Sequence, residues 1–430
     1  MDGFEGYRRH VNPALCRLEE MCRISRRFVK AEGNYLWDDE GAEYLDFLSG
    51  HGSQSFGHNH PAVARAVMDR MNSRTPVVYG FAASPYMGQA AAMMVERAGP
   101  PLERVLFTNS GTEAVEEAVK LARAATRRPR IIYCHKAYHG VTMGSLSMME
   151  KGPWRDPFEP LMPEFHAIPF NDLAALKAEL ESGDCAALVV EPVQAEGGIV
   201  LPSAGYLKSA GDLCNKYGAL LALDEAQTGL GRTGRIFAFQ HFGVTPDILI
   251  LAKALGGGLL PAGAALTSGE VFDAAYGSTA TCYATWPTFG GNSLSCAAIE
   301  SALSLLDGEN LVDRAARMGD LLMEKLKSQF GGHPLITDIR GLGLLAGVEF
   351  GPAPHPWLEF KNMGLEEFGG SNSMALLAKR KLLEERVLTD VCGHDWSVLK
   401  LEPPLTVTGE EIGRLIAAMA KTLDWLESVS

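Results

Sequence analysis

Five short apolar runs punctuate the middle of the chain, and each ends in polar residues: RVLFTNS, RIIYCHK, ALVVEPV, ALLALDE and DILILAK. A strand with one wet face alternates; near-continuous apolar runs instead predict strands buried on both faces of a parallel sheet. Helix-period segments lie between most of them, so about Pro61 to Leu306 reads as an α/β domain. Functional residues are then expected at the carboxyl ends of the strands. Upstream, Leu18, Met21 and Cys22 at helical spacing predict an amphipathic arm over residues 1 to about 30. GNYLWDDEGAEYLDFLSG predicts a β-hairpin around a DEG turn, and Pro61 of GHNHP an early helical residue. From about Leu311, helices and the strand-like DIRGLGLLAGVEF and VLKLEPPLTV predict a smaller α+β lobe. The expected division is 1–60 for the arm and part of the small domain, 61–309 for the large domain and 310–430 for the rest of the small one. Residues 351–373, rich in Pro, Gly and aromatics (Trp357, Phe360, Phe368), read as a long loop or flap before the helix MALLAKRKLLEER.

Composition narrows this picture little. With 430 residues, 47% of them hydrophobic and 21% charged, the chain has the make-up of an ordinary globular protein with more than one lobe. A net charge of -13 argues against a nucleic-acid partner. No apolar run approaches membrane-spanning length, and the 8 cysteines are scattered without a CxxC, so a cytoplasmic protein with free thiols is expected. His58 and His60 have no accompanying carboxylate or thiol cluster, so no metal is expected.

Four strand ends carry candidate chemistry. Lys253 follows the apolar DILILA run, where burial disfavours the ammonium and turns the amine into a usable nucleophile; a snorkelling lysine is the plainer reading. Ser110, Gly111 and Thr112 open a helix, as a phosphate cradle or as a simple N-cap. Tyr138, in HKAYHG, either stacks on a planar ring or packs in the core. Asp224, with Glu225 beside it, ends a buried strand and needs a partner, either a protonated heterocyclic nitrogen or a basic side chain; Gln227 follows, able to bond a ring hydroxyl. Together these are the parts that pyridoxal phosphate demands. A dinucleotide or P-loop site is disfavoured, because no GxGxxG opens a helix after the first strand and LAKALGGG lacks the GK[ST] ending.

The motifs NSGTEAVEEAVKLAR, AYHG, EPVQAEGG, LDEAQTGLGRTG, LAKALGGG, TFGGN and EPPLT, in this order over nearly the whole chain, resemble the class III (ω-amino acid) aminotransferases of pyridoxal-phosphate fold type I, closest in feel to putrescine and ornithine/acetylornithine aminotransferases. The resemblance implies a large domain with a mostly parallel seven-stranded sheet, and a smaller domain built from both termini. It implies transamination by a ping-pong mechanism, from a primary, terminal amine or amino acid to a 2-oxo acid or aldehyde. Lys253 would be the Schiff-base and proton-shuttling lysine and Asp224 the pyridinium partner. Ser110, Gly111 and Thr112 would hold the phosphate, Tyr138 and Ala226 flank the ring, Gln227 bond its phenolic oxygen, and Thr288 reach the phosphate of a neighbouring subunit, so that a homodimer or tetramer shares its sites. Two positions depart from the family: Ala226 stands where valine is usual, and Lys400 where many members carry a carboxylate-clamping arginine that can pair with the counterpart of Glu196. Tyr79, Phe81, Tyr283 and Trp286 predict an aromatic substrate wall. An amino-sugar or natural-product aminotransferase, an aminomutase or racemase, and a non-catalytic cofactor-binding protein are the alternatives.

Overall fold

The computed structural model describes residues 3–80, 82–363 and 372–429. Its first sheet begins with β1 (Phe28–Glu32), β2 (Tyr35–Asp38) and β3 (Glu43–Asp46), antiparallel neighbours that include the expected hairpin. The central sheet follows, from β4 (Arg104–Thr108), β5 (Arg130–Cys134), β6 (Phe165–Ile168), β7 (Cys185–Val190), β8 (Leu220–Asp224), β9 (Ile248–Leu251) and β10 (Gly263–Thr267). The 7-stranded order is β4-β10-β9-β8-β7-β5-β6, parallel throughout except for β10, which runs antiparallel to both its neighbours. The small lobe adds β11 (Ile336–Leu342), β12 (Leu345–Phe350), β13 (Val387–Leu388), β14 (Asp390–Cys392) and β15 (Asp395–Leu401). Of these, β13 pairs in parallel with β3, so the small domain is built from both ends of the chain.

The apolar runs of the central strands divide by parity. Ile132, Leu188, Leu221, Leu249 and Leu251 enter one core, whereas Ile131, Val189, Ala222, Ile248 and Ile250 enter another beneath the helix Gly111–Thr126. Both faces are dry, which is why the sequence shows no alternation. Neither β6 nor β10 is among the five runs that announce themselves: β6 is FHAI, and β10 is GAALT, too small and too plain to signal a strand.

The N-terminal arm is corrected in one respect. It is two short helices, Gly3–His10 and Pro13–Met21, because Asn12 caps the second through its side chain and Pro13 cannot continue the first. Pro61 does open its helix, Pro61–Asn72, behind an N-cap at His60. His58 bonds Asp46 at 2.7 Å, a structural tie between β3 and the helix-entry loop. Of the 351–373 segment, Pro356–Leu358 and Phe360–Met363 are short helical turns, while Phe368 lies outside the described residues, as does Phe81. Among the described residues no helix is long and apolar enough to cross a membrane.

Candidate active site

The carboxyl ends of β4, β5, β7, β8 and β9 open on one edge of the central sheet, around a cavity of about 480 Å³. Ser110, Gly111, Thr112, Tyr138, Glu196, Asp224, Ala226, Gln227 and Lys253 all line it. The fold thus brings nine of the expected residues, from five separate stretches of chain, to one cavity.

After β4 the chain turns at Asn109 and starts the helix Gly111–Thr126. Ser110 is its N-cap, its hydroxyl accepting from the Glu113 N–H at 3.3 Å. The first N–H groups of a helix have no intrahelical acceptor and carry the positive end of its dipole, so Gly111 and Thr112 face the cavity as an anion cradle. A Cβ on Gly111 would lie 3.1 Å from that of Ala252, so a side chain here would crowd the floor. The Thr112 hydroxyl sits 2.7 Å from both Thr142 Oγ1 and Ser145 Oγ, which tethers the short helix Met143–Leu146 to the cradle.

After β8 two adjacent carboxylates part company. Glu225 accepts from the Ala238 and Phe239 N–H groups at 2.6 and 2.7 Å, and burial pushes it up to about 8: it is a structural anchor. Asp224 faces the cavity, accepting from Ala226 N–H at 3.0 Å and from His139 Nδ1 at 2.8 Å. Burial works against charge on His139, but the Asp224 carboxylate outweighs it and holds the imidazole above its ordinary value. Glu191, at the end of β7, accepts from Tyr138 N–H at 3.0 Å and from Ala195 N–H at 3.1 Å, fixing the Tyr138 backbone; burial pushes it up to about 7.

Lys253 follows β9 with φ 46°, a left-handed conformation that is costly for a residue with a side chain. Burial lowers its pKa below the ordinary lysine value, although Glu402 and Glu196 partly resist. Its ammonium donates to Gln227 Oε1, while Gln227 Nε2 donates to Glu402 Oε2 at 2.9 Å. Glu402 thereby sets which end of the Gln227 amide faces the lysine.

The departure at Lys400 has a clear geometry. Lys400 is wholly buried on β15, ion-paired with Glu196 and donating to His51 Nδ1 at 3.3 Å. Burial works against the Glu196 carboxylate, but Lys400 beside it holds it down at about 2. Burial works against the Lys400 ammonium too, but Glu196 outweighs it and raises the lysine, while His51 is lowered, first by burial and then by Lys400. Gly393 N–H also donates to Glu196 Oε2 at 2.8 Å.

Tyr79, Tyr283, Trp286 and Thr288 stand apart within the single chain. Tyr79 packs edge-on against Tyr86 with ring centroids 6.2 Å apart, while Tyr283, Trp286 and Thr288 are exposed; none of the four lines the cavity. Conversely His139, Glu191 and Glu402 carry parts of the site that sequence reasoning left without a role. Each sits inside a quoted motif (AYHG, EPVQ, EPPL), so the signal was present, but the partners lie far off in sequence.

The class-III aminotransferase model matches residues 19–423. The chain belongs to the class III aminotransferase family. It is 35% identical to a putrescine aminotransferase of Pectobacterium atrosepticum over 95% of this chain and 86% of that one. An acetylornithine aminotransferase of Methanopyrus kandleri is 42% identical over 76% of this chain and 82% of its own. Among solved structures, the ornithine aminotransferase of Toxoplasma gondii superposes with a TM-score of 0.88 at 33% identity, covering 100% of this chain and 96% of that one. This aminotransferase is thus a fold type I, pyridoxal-phosphate-dependent enzyme. Its cavity fits that group: a helix N-terminus for a phosphate, a buried carboxylate for a ring nitrogen, and a lysine of lowered pKa for an aldehyde.

Proposed function

We propose that this aminotransferase takes its amino group from a terminal primary amine, R–CH2–NH2, and passes it to a 2-oxo acid. The amine carbon is oxidised to the aldehyde R–CHO, and the oxo carbon is reduced to the amino acid. One nitrogen and one electron pair cross, and the water consumed in the first half is released in the second.

When bound, pyridoxal phosphate supplies the aldehyde that accepts the amine nitrogen and a ring that takes up the electron pair of the adjoining carbon. Ser110, Gly111 and Thr112 would hold its phosphate, Asp224 its ring nitrogen, Gln227 its phenolic oxygen, and Tyr138 and Ala226 its two faces. Lys253 Nζ would hold the aldehyde carbon and, once displaced, carry the proton from the amine-bearing carbon. Burial, which lowers its pKa, favours the neutral amine over the ammonium, the form a base needs. His139 supports Asp224: replacing it with glutamine is expected to weaken cofactor affinity about tenfold, the worth of one charge-assisted hydrogen bond, read by fluorescence titration.

The observation that carries the donor class is the absence of an arginine among the described residues lining this cavity and the one that adjoins it at Lys253. An α-amino acid donor brings a carboxylate, which a planar guanidinium fork suits and a lone ammonium does not. Lys379 and Lys400 are the nearby cations, and Asp390 and Glu196 already hold them. Relatives named for putrescine and acetylornithine also support a terminal amine. A panel of amines and α-amino acids against pyruvate and 2-oxoglutarate tests this, with Lys253→Ala as the blank. Preference for α-amino acids across the panel would refute it. The acceptor's carboxylate must draw on Lys400 after Glu196 lets go, so Lys400→Arg is expected to lower the KM for 2-oxoglutarate about tenfold. Unchanged acceptor kinetics would count against this role.

A homodimer accounts for the residues that stand apart. Tyr283, Trp286 and Phe289 are 56%, 47% and 56% exposed, an apolar cluster of the kind that marks an interface. Thr288 among them would reach the phosphate of a second copy. Mixing inactive Lys253→Ala chains with Thr288→Asp chains is expected to restore activity in hybrid dimers. The free cysteines suit a reducing compartment, the cytoplasm.

A further inference from the structure

A second cavity, of about 800 Å³, meets the first at Tyr138, Val141, Glu196 and Lys253. Its wall comes from three distant parts of the chain. The arm gives Leu15, Leu18 and Ile24, the loop after β5 gives Met149 and Trp154, and the small lobe gives Leu376, Val391 and Trp396. Leu18 packs with Cys22 and Trp396 against the buried pair Phe360 and Leu376, so the arm closes this cavity as a roof. Trp154 lies close over Gly393, where a Cβ would come within 3.0 Å of its ring, and it contacts the His394 ring at 5.4 Å.

The charges in this wall are few and mostly committed. Lys379 bonds Asp390 at 2.6 Å, and Glu196 is held by Lys400. The space is of the order that encloses a drug-sized ligand, about 300–1,000 Å³, and far exceeds what a four-carbon diamine fills. Glu19 and His51 add polar groups to the lining, but the side chains from the arm, the loop after β5 and the small lobe make most of it apolar, a surface that suits methylenes or a ring.

We propose that the amine donor carries a long or bulky apolar body, which lies in this second cavity with the amino group at Lys253. This rests on the terminal-amine reading above. It separates the enzyme from relatives named for short polar amines, and it assigns the arm and the small lobe to donor recognition.

Straight-chain primary amines from propyl to octyl, with butane-1,4-diamine alongside, would be run against the wild-type holoenzyme and Leu18→Asp. The readouts are the amine-driven loss of the cofactor's visible absorption and the equilibrium affinity of the same amines for cofactor-free protein, by calorimetry. Wild-type kcat/KM is expected to climb about fourfold per added methylene up to hexyl, the transfer of one methylene out of water, with affinity rising in step. Leu18→Asp, which sets a carboxylate in the wall, is expected to flatten that slope. A flat or falling series with butane-1,4-diamine the best donor overturns the apolar body and leaves the terminal-amine reading standing. If no amine of any length discharges the absorption, both fall. A steep slope that Leu18→Asp leaves unchanged overturns this cavity as its source.

Discussion

Replacing Lys253 with alanine is expected to lower turnover by about 10⁴-fold or more, the upper range for loss of a positioned proton-transfer group. The reason lies in how little else at the site could take over. Among the described residues lining both cavities, the other amine is that of Lys379, bonded to Asp390, and the nearby Lys400 is buried against Glu196. Lys253 alone combines access to the first cavity, a pKa lowered by burial, and a strained backbone that aims it. Borohydride treatment gives a second readout: it should add the mass of the reduced cofactor to the wild-type chain and add nothing to the variant. A variant chain that still gains that mass, or keeps more than a hundredth of its activity, would remove Lys253 from the centre of the site. Lys253→Arg keeps the charge without a usable nucleophile and is expected to be as inactive as alanine.

Much of this is legible in the sequence, for a physical reason. Strands buried on both faces write themselves as unbroken apolar runs, and the residue that ends such a run is delivered to one edge of the sheet. Asp224 and Lys253 are adjacent in space because β8 and β9 are adjacent, with Asp224 registered opposite Ile250. What stayed hidden has equally physical causes. β10 is built from Gly, Ala, Leu and Thr, so its place between β4 and β9 left no periodic trace. Glu402 reaches Gln227 across 175 residues, and Ser49 donates to the Glu402 carbonyl at 2.6 Å across 353; no local pattern encodes such contacts. Asp224 and Glu225 looked like a pair, yet the pleat sends one to the cavity and the other to a backbone turn. Tyr79, Trp286 and Thr288 lie outside the cavity within one chain, a placement that the proposed homodimer would explain.

The Lys400–Glu196 pair offers the largest expected effect on stability. Both side chains are buried or nearly so, with exposures of 0% and 13%, and cutting one side of such a pair leaves the other charge uncompensated. Lys400→Met is therefore expected to destabilise the fold by about 3–5 kcal/mol. Lys400→Met combined with Glu196→Gln should recover most of the loss, because neither member of the pair is then left as an uncompensated charge. The pH dependence follows from the same pairing. Glu196 titrates at about 2 in the fold against an ordinary value of 4.5, so the unfolded chain binds the proton more readily. The pair's contribution is present in full above about pH 4.5 and is lost as pH falls toward 2, because acid protonates the unfolded chain first. Lys400, raised in the fold, contributes fully below its ordinary value and loses that contribution only as alkali passes its raised one. Denaturant midpoints of wild type and Lys400→Met should thus differ most between pH 5 and 9 and converge in acid. A gap that persists unchanged at pH 3 would mean that Lys400 stabilises the small lobe by packing its stem on β15, with its charge contributing little.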